Sequence, residues 1–329
     1  MTHRQHQGTD AINDARPQYG RPDSRAGRGR NAIARNSGGG FDLELELDTT
    51  DLLPGRLVNG RLRLSSRHGG AFRGARVTLV GTETWRYDST TTDSKGHTQT
   101  ATRTSDEDLP HVPIAVLGPT SVSADETLET PFQVPVPALG PPTFDGMELR
   151  VGWDLVANLD VAGFDPTVVL PVRVLQPTSL LRAGVVDVGQ FALFEETAVA
   201  ADGLAGSIRL EPMPLCLGAP FQGQVTMTKA TPRQVQEVRL ELRVNVKAIV
   251  SGGREETVTL WTGLLTGAGD FGRAGATYPF QGVLDDRQLP TIRTPHGRAD
   301  AAFHLVIATA WAPDPHLVRD VAICSTAEI

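Results

Sequence analysis

The sequence predicts an all-β protein in which two tandem β-sandwiches follow a disordered N-terminal tail. Apolar and polar residues alternate along many short segments, a period-two pattern that is typical of half-buried strands. Turn-forming residues interrupt these segments, with 34 glycines and 23 prolines in 329 residues. Several segments also occur twice in the same order. Short strands at regular spacing, separated by turns, favour sandwiches over a parallel α/β sheet.

The predicted tail comprises residues 1–40, which contain almost no large apolar side chains and end in three glycines. Such a segment buries too little surface to offset the entropy lost on ordering, so we predict disorder. Its net charge is +4, from seven arginines and three aspartates. The whole chain carries −7, so residues 41–329 carry −11, the difference of the two. Neither a signal segment nor an apolar run of the ~20 residues that span a membrane is present, which predicts a cytoplasmic protein.

The predicted strands begin where the tail ends. Residues Phe41–Leu47 alternate apolar and acidic side chains over seven positions, and this polar strand is a candidate sheet edge. The same alternation recurs at residues 61–64, 76–80, 148–159, 168–174, 209 onward, 224–228, 238–249, 257–261 and 302–309.

An internal repeat organises these strands. Gly60, which opens one alternating strand, matches Gly223, and residues 73–80 match residues 236–243, both at an offset of 163. Residues 130–133 match residues 278–281 through a shared Pro-Phe-Gln, at an offset of 148. The 15-residue difference lies in a longer loop of the first half, residues 88–127. Segments that recur in order at consistent offsets indicate tandem duplication.

The repeat divides the chain into a basic tail, residues 1–40, a first domain, residues 41–176, and a second domain, residues 177–329. One segment near the boundary, residues 186–201, leaves two interpretations open. It is either a helix or a linker that leads into the first strand of the second domain. A hinge is placed near residues 177–184.

These segments resemble the arrestin-like superfamily, which includes a retromer subunit and a bacterial sporulation-control protein. The resemblance covers about residues 41–326. It rests on a Pro-Gly turn that leads into a G-x-aliphatic-x-aliphatic strand, a basic-Gly strand, a Pro-Phe segment and a Trp-containing strand. In this sequence they are Pro54-Gly55 with residues 60–64, residues 73–81, residues 131–137 and residues 151–160.

The resemblance implies two immunoglobulin-like β-sandwiches and a non-catalytic adaptor that binds another protein. The phosphate-sensing and receptor-contact residues of arrestins have no motif match here, so none is carried over. The ligase-recruiting Pro-Pro-x-Tyr motif is absent too, because Pro141-Pro142-Thr-Phe144 ends in the wrong aromatic residue. A composition rich in Ala, Gly, Arg and Val, with little Lys, favours a bacterial and regulatory member.

Motifs for chemistry are sparse, and we predict neither an enzyme nor a bound cofactor. Residues 267–272 fit G-x-G-x-x-G, but no helix follows them, so a hairpin loop is the favoured interpretation. The pair Asp285-Asp286 is interpreted as a solvated turn. No G-x-S-x-G elbow or local cysteine signature is present. Cys216 and Cys324 lie far apart in the sequence and are interpreted as small apolar residues in a reducing compartment.

No metal site is predicted, because the eight histidines are scattered rather than clustered with other ligands. Most of them fall in the tail or in predicted loops, and His304 falls on a strand. They are His3, His6, His68, His97, His111, His296, His304 and His316.

Three features are candidates for binding, although no partner-binding residue is assigned. The tryptophans Trp85, Trp153, Trp261 and Trp311 lie in or beside strands, where core packing is favoured over ligand stacking. The loop of residues 88–127 is either a binding loop or an extended hairpin. The basic tail allows weak contact with an anionic surface.

Three functional hypotheses follow. The first is an adaptor that binds a protein partner, for example by strand addition at a sheet edge. The second is a structural protein that assembles with itself. The third is a ligand-binding sandwich module.

Overall fold

The computed structural model describes residues 32–109, 111–163, 165–182, 197–201, 204–229, 235–266, 275–285, 289–309 and 316–326. These residues are almost entirely β-strands, so the all-β prediction is confirmed. Only one short helix, α1 (Thr178–Arg182), is present among them. No helix in the described ranges has the length and apolar character needed to cross a membrane.

The first half contains thirteen strands in two principal sheets. One sheet has the order β1-β2-β4-β10 and the other has the order β3-β13-β12-β6-β7, with β11 on β12 and β8 on β6. Strands β5 and β9 pair separately. The strands are β1 (Ala32–Gly38), β2 (Phe41–Leu47), β3 (Asp51–Leu52), β4 (Leu57–Ser65), β5 (Gly70–Phe72), β6 (Gly74–Thr92), β7 (Thr98–Asp108), β8 (Val112–Leu117), β9 (Thr120–Val122), β10 (Thr127–Pro135), β11 (Phe144–Asp145), β12 (Leu149–Asp160) and β13 (Thr167–Val174).

The second half repeats this arrangement. One sheet has the order β14-β15-β17-β20, and the other has the order β19-β18-β22-β21 with β23 on β22, while β16 pairs with β24. The strands are β14 (Thr197–Ala201), β15 (Leu204–Glu211), β16 (Leu215–Cys216), β17 (Pro220–Lys229), β18 (Val235–Ala248), β19 (Glu255–Thr266), β20 (Thr277–Val283), β21 (Ile292–Arg293), β22 (Gly297–Thr309), β23 (His316–Val321) and β24 (Ile323–Cys324).

Strand register preserves the sequence repeat. Gly60 is opposite Phe132 in the first half, and Gly223 is opposite Phe280 in the second. In each pair the phenylalanine ring occupies the space of a glycine side chain. An added Cβ would lie 2.4 Å from Phe132 at Gly60 and 2.5 Å from Phe280 at Gly223. The repeat matched the two glycines with each other and the two Pro-Phe-Gln segments with each other. Both matches therefore describe the same contact in each half, in which an aromatic ring covers a glycine of the adjacent strand.

Alternation along the strands builds the core. In β2 the side chains of Phe41, Leu43, Leu45 and Leu47 are all buried, while the acidic residues between them face outward. Trp153 of β12 packs over Gly81 and donates its Nε1–H to the Pro141 carbonyl at 3.0 Å. Burying one face of each sheet gives each half a β-sandwich-like form.

Several expectations need correction. Residues 32–38 of the predicted tail form β1, which pairs with β2, while residues 1–31 lie outside the described residues. Because β1 covers it, Phe41–Leu47 is an interior strand and not a sheet edge. Of the two alternatives for residues 88–127, the structure shows the extended hairpin, which the end of β6 forms with β7, and β8 and β9 follow it.

The predictions for the boundary between the halves are tested only in part. Residues 197–201 of the ambiguous segment form a strand rather than a helix, which favours the strand alternative there. Its residues 186–196 lie outside the described residues, and so do residues 183–184 of the predicted hinge.

Candidate functional site

The two halves are joined by backbone hydrogen bonds between β6 and the turn that connects β18 to β19. The Asp88 N–H donates to Gly252 O at 2.7 Å, and the Arg254 N–H donates to Arg86 O at 3.3 Å. Tyr87 and Gly253 are antiparallel bridge partners. Strand β12 occupies this edge of β6 only as far as the pair Leu149–Trp85. The turn of the second half therefore continues the sheet of the first half where β12 begins.

A charged network surrounds this backbone joint. The Arg254 Nε lies 3.2 Å from both carboxylate oxygens of Glu148, whose side chain is only 3% exposed. The Arg254 Nη1 donates to Asp88 at 3.1 Å and to the Thr102 hydroxyl at 3.2 Å. Arg86 lies 3.6 Å from Glu148 on the other side. A planar guanidinium is suited to this geometry because its donors point in several fixed directions.

A second polar cluster lies beside the first. Glu83 is 1% exposed and accepts hydrogen bonds from the Thr294 hydroxyl at 2.5 Å and from the His296 N–H at 3.1 Å. The His296 ring stacks on Trp85, with 3.9 Å between centroids. Its Nδ1 lies 3.1 Å from Glu83 and its Nε2 lies 3.3 Å from Glu107. These contacts satisfy a buried carboxylate of the first half entirely with groups of the second half.

Close packing completes the contact. An added Cβ at Gly297 would lie 2.5 Å from Leu149 Cδ2, so the leucine side chain fills the space that the glycine leaves. Gly252 has a φ of +71°, and an added Cβ there would lie 2.2 Å from the Asp88 carbonyl oxygen. Glu256 accepts hydrogen bonds from the Met147 and Glu148 N–H groups at 2.6 and 3.2 Å. We call this set of contacts the interdomain joint.

The electrostatics of the joint favour its charged form. Hydrogen bonds from the Thr102 hydroxyl and from Arg254 hold the pKa of Asp88 below its ordinary value. Hydrogen bonds to Asp88 and Glu148 raise the pKa of Arg254 above its ordinary value. The ion pair is therefore fully charged at neutral pH.

The β6–β7 hairpin also presents a sheet edge. The Asp93 N–H bonds to His97 O and the Leu109 N–H bonds to Gly81 O, so the odd-numbered residues of β7 are those hydrogen-bonded to β6. The even-numbered residues direct their N–H and C=O groups away from β6, and β7 is the outermost strand of its sheet. They are Thr98, Thr100, Thr102, Thr104, Asp106 and Asp108.

The candidates from sequence analysis fall in different places. The G-x-G-x-x-G segment, Trp311 and Asp286 lie outside the described residues. Trp85 stacks on His296, Trp153 is core, and Trp261 packs over Gly263 and Gly282. Within the described ranges, no three His, Cys, Asp or Glu side chains form a group suited to a metal ion.

The structure brings together residues that sequence analysis kept apart or overlooked. His296 was predicted in an exposed loop, but it is 25% exposed and belongs to the interdomain joint. Glu83, Glu148 and Arg254 were not singled out. A signal for Glu83 was present, because the repeat aligns it with the buried Val246 at the offset of 163. A carboxylate at an inward position of a strand indicates a partner from outside that sheet.

Comparison of the chain with models of protein families finds no match, and comparison with curated proteins finds no match either.

Proposed function

We propose that this protein is a non-catalytic, arrestin-like adaptor of two immunoglobulin-like sandwiches that binds an extended segment of a protein partner. The proposal places it in the cytoplasm of a bacterium, in a regulatory role. The observation that carries it is the outermost strand β7, whose even-numbered residues direct peptide groups away from β6. An added strand satisfies such groups, which is how many adaptors bind peptides.

The position of β7 supports this function. Among the described residues, the second half has no counterpart of the extended β6–β7 hairpin. Strand β18 ends at Ala248, whereas β6 continues to Thr92 and pairs with β7 over that extension. Thr102 and Glu107 of β7 contact Arg254 and His296 of the second half. A partner strand on β7 therefore lies beside side chains that hold the two halves together.

Proline substitution on the outer edge of β7 tests the proposal. Thr98→Pro with Thr100→Pro removes two outward N–H groups without removing a hydrogen bond to β6. The matched control, Thr98→Val with Thr100→Val, keeps both N–H groups and removes only the hydroxyls. Crosslinking in native cytosol, followed by mass spectrometry, should map partner peptides to β7 in the wild type and in the valine control but not in the proline variant. Equal crosslinking of all three proteins at β7 would exclude strand addition there.

Self-assembly is the second candidate, because the same outer edge of β7 can pair with β7 of another copy. Light scattering across a concentration series separates the two functions. The adaptor proposal expects a monomer with a partner peptide on β7, whereas self-assembly expects a concentration-dependent mass that the proline variant abolishes.

A further inference from the structure

The two cysteines of the chain are direct neighbours in the fold. Strands β16 and β24 pair in parallel, and Cys216 is the register partner of Cys324. The Leu217 N–H donates to Cys324 O at 3.0 Å, and the Leu215 N–H donates to Ala322 O at 3.0 Å. Because register partners project to the same face of a sheet, both thiols lie on one face.

The spacing of paired strands suits a disulfide. Neighbouring strands lie about 4.8 Å apart, and disulfides join residues whose Cα atoms are about 4.4–6.8 Å apart. Neither cysteine is in a disulfide, and both are buried, with Cys216 6% exposed and Cys324 fully buried. The β16–β24 pairing is only two residues long, so fewer backbone hydrogen bonds hold these strands together than hold the long central strands.

We infer that Cys216 and Cys324 are a reversible dithiol site that forms an internal disulfide with a low-molecular-weight disulfide oxidant such as oxidised glutathione. The Cys216 thiolate, the more exposed of the two, attacks one glutathione sulfur and releases one glutathione thiolate. The Cys324 thiolate then attacks the Cys216 sulfur of the mixed disulfide and releases the second glutathione. The protein loses two protons and two electrons, and oxidised glutathione becomes two molecules of glutathione.

The bond would fix a strand that reaches the boundary between the halves. Immediately after β24, the Ser325 N–H donates to Gln176 O at 3.0 Å, and Thr326 is a bridge partner of Pro177. Gln176 and Pro177 follow the last strand of the first half. The disulfide therefore ties β16 to the strand that holds the connecting segment, and it links residues 216 and 324 across a long loop that is free in the reduced unfolded chain.

Oxidation of the full-length protein in graded ratios of reduced to oxidised glutathione tests the inference. After acid quench and alkylation in denaturant, the oxidised protein should carry no alkyl group and should weigh two hydrogen atoms less than the reduced, unalkylated protein, with the peptides that contain Cys216 and Cys324 joined. The reduced protein should carry two alkyl groups. The oxidised protein should melt several degrees higher, because a long cross-linked loop adds stability of the order that shifts Tm by this amount. Dithiothreitol should reverse both changes.

Single-cysteine variants supply the controls. Cys216→Ser and Cys324→Ser should accept at most one glutathione and should show no rise in Tm. In the wild type, glutathione adducts without the internal bond, or two free thiols at every ratio, would overturn the inference. Because the mass of the wild-type protein decides the result, the test remains valid even if a serine variant does not fold.

Discussion

Gly252 offers the sharpest test of the interdomain joint. Its φ is +71°, and an added Cβ would lie 2.2 Å from the Asp88 carbonyl oxygen, well inside the 3.4 Å at which ordinary contact begins. Gly96, in the turn of the β6–β7 hairpin, has a φ of +84° with nothing within 4 Å of an added Cβ. Gly96→Ala therefore imposes comparable backbone strain without touching the joint. The two substitutions form a matched pair.

The magnitudes follow from the contacts. A non-glycine residue in left-handed backbone costs about 1–2 kcal/mol, a cost that both variants share. In Gly252→Ala the turn must also move away from β6, which breaks the two backbone hydrogen bonds of the joint. Each bond contributes about 1 kcal/mol, so the additional cost is about 2 kcal/mol. That free energy corresponds to about a 30-fold shift toward the open joint.

Hydrogen exchange measures this shift directly, because the Asp88 amide donates to Gly252 across the joint. We expect about 30-fold faster exchange of the peptide that contains Asp88 in Gly252→Ala. The same peptide should keep its wild-type rate in Gly96→Ala. If the two variants exchange Asp88 at the same rate, the joint does not depend on this backbone contact, and the reasoning is wrong.

Three further predictions concern the same structure. Arg254→Lys should destabilise the joint by about 1–2 kcal/mol in urea unfolding, because a single ammonium nitrogen cannot replace the separate Nε and Nη1 donors that reach Glu148 and Asp88; an unchanged midpoint would contradict this. Since the folded-state pKa of Asp88 is lowered, its contribution is present above the ordinary aspartate pKa and is lost as pH falls through the lowered value. The protection factor of the Asp88 amide, which is the intrinsic exchange rate at each pH divided by the observed rate, should therefore fall below about pH 4, and Asp88→Asn should remove this dependence. Gly60→Ala should cost about 1–3 kcal/mol of overall stability in thermal unfolding, because the methyl group overlaps Phe132; Gly152→Ala, with no atom within 4 Å of the added Cβ, should cost less.

Local pattern was sufficient to predict the strands that have one buried and one exposed face. The alternation in Phe41–Leu47 reflects one buried and one exposed face, which is a property of the strand alone. The pairing of Gly60 with Phe132 left a trace too, because the duplicated half preserved the same contact at Gly223 and Phe280. Such features are predictable because each depends on residues within one sheet.

Two strands, β1 and β7, gave no clear signal in the sequence, and the causes are local. Residues 32–38 are poor in large apolar side chains, yet they form β1 because β2 offers it a complete set of backbone partners. A sheet edge accepts a strand through its backbone, so composition alone underestimates such strands. In the β6–β7 hairpin, the residues from Thr98 to Thr104 are exposed on both faces, so no alternation indicated a strand there.

The interdomain joint was not predictable in the same way. Glu83 and Thr294 are 211 residues apart in the sequence, and Glu148 and Arg254 are 106 apart. Their meeting depends on how two folded halves orient, which no local pattern encodes. Only a comparison of the halves gave a hint, since a buried position that is Val246 in one half is Glu83 in the other.

The residues that differ between the two halves at the interdomain joint also indicate whether the halves pair within one chain or between two chains. Leu149 and Gly297 are equivalent positions of the repeat and lie against each other, as equivalent residues do at a two-fold dimer interface. Glu148 and His296, at the same offset, belong to the two neighbouring clusters. If the first halves of two chains met through this face, Leu149 of one chain would face Leu149 of the other. A single Cβ added at Gly297 would already lie too close to Leu149, so a leucine in that position would not fit. The two halves are thus complementary rather than self-complementary at this face, which favours pairing within one chain.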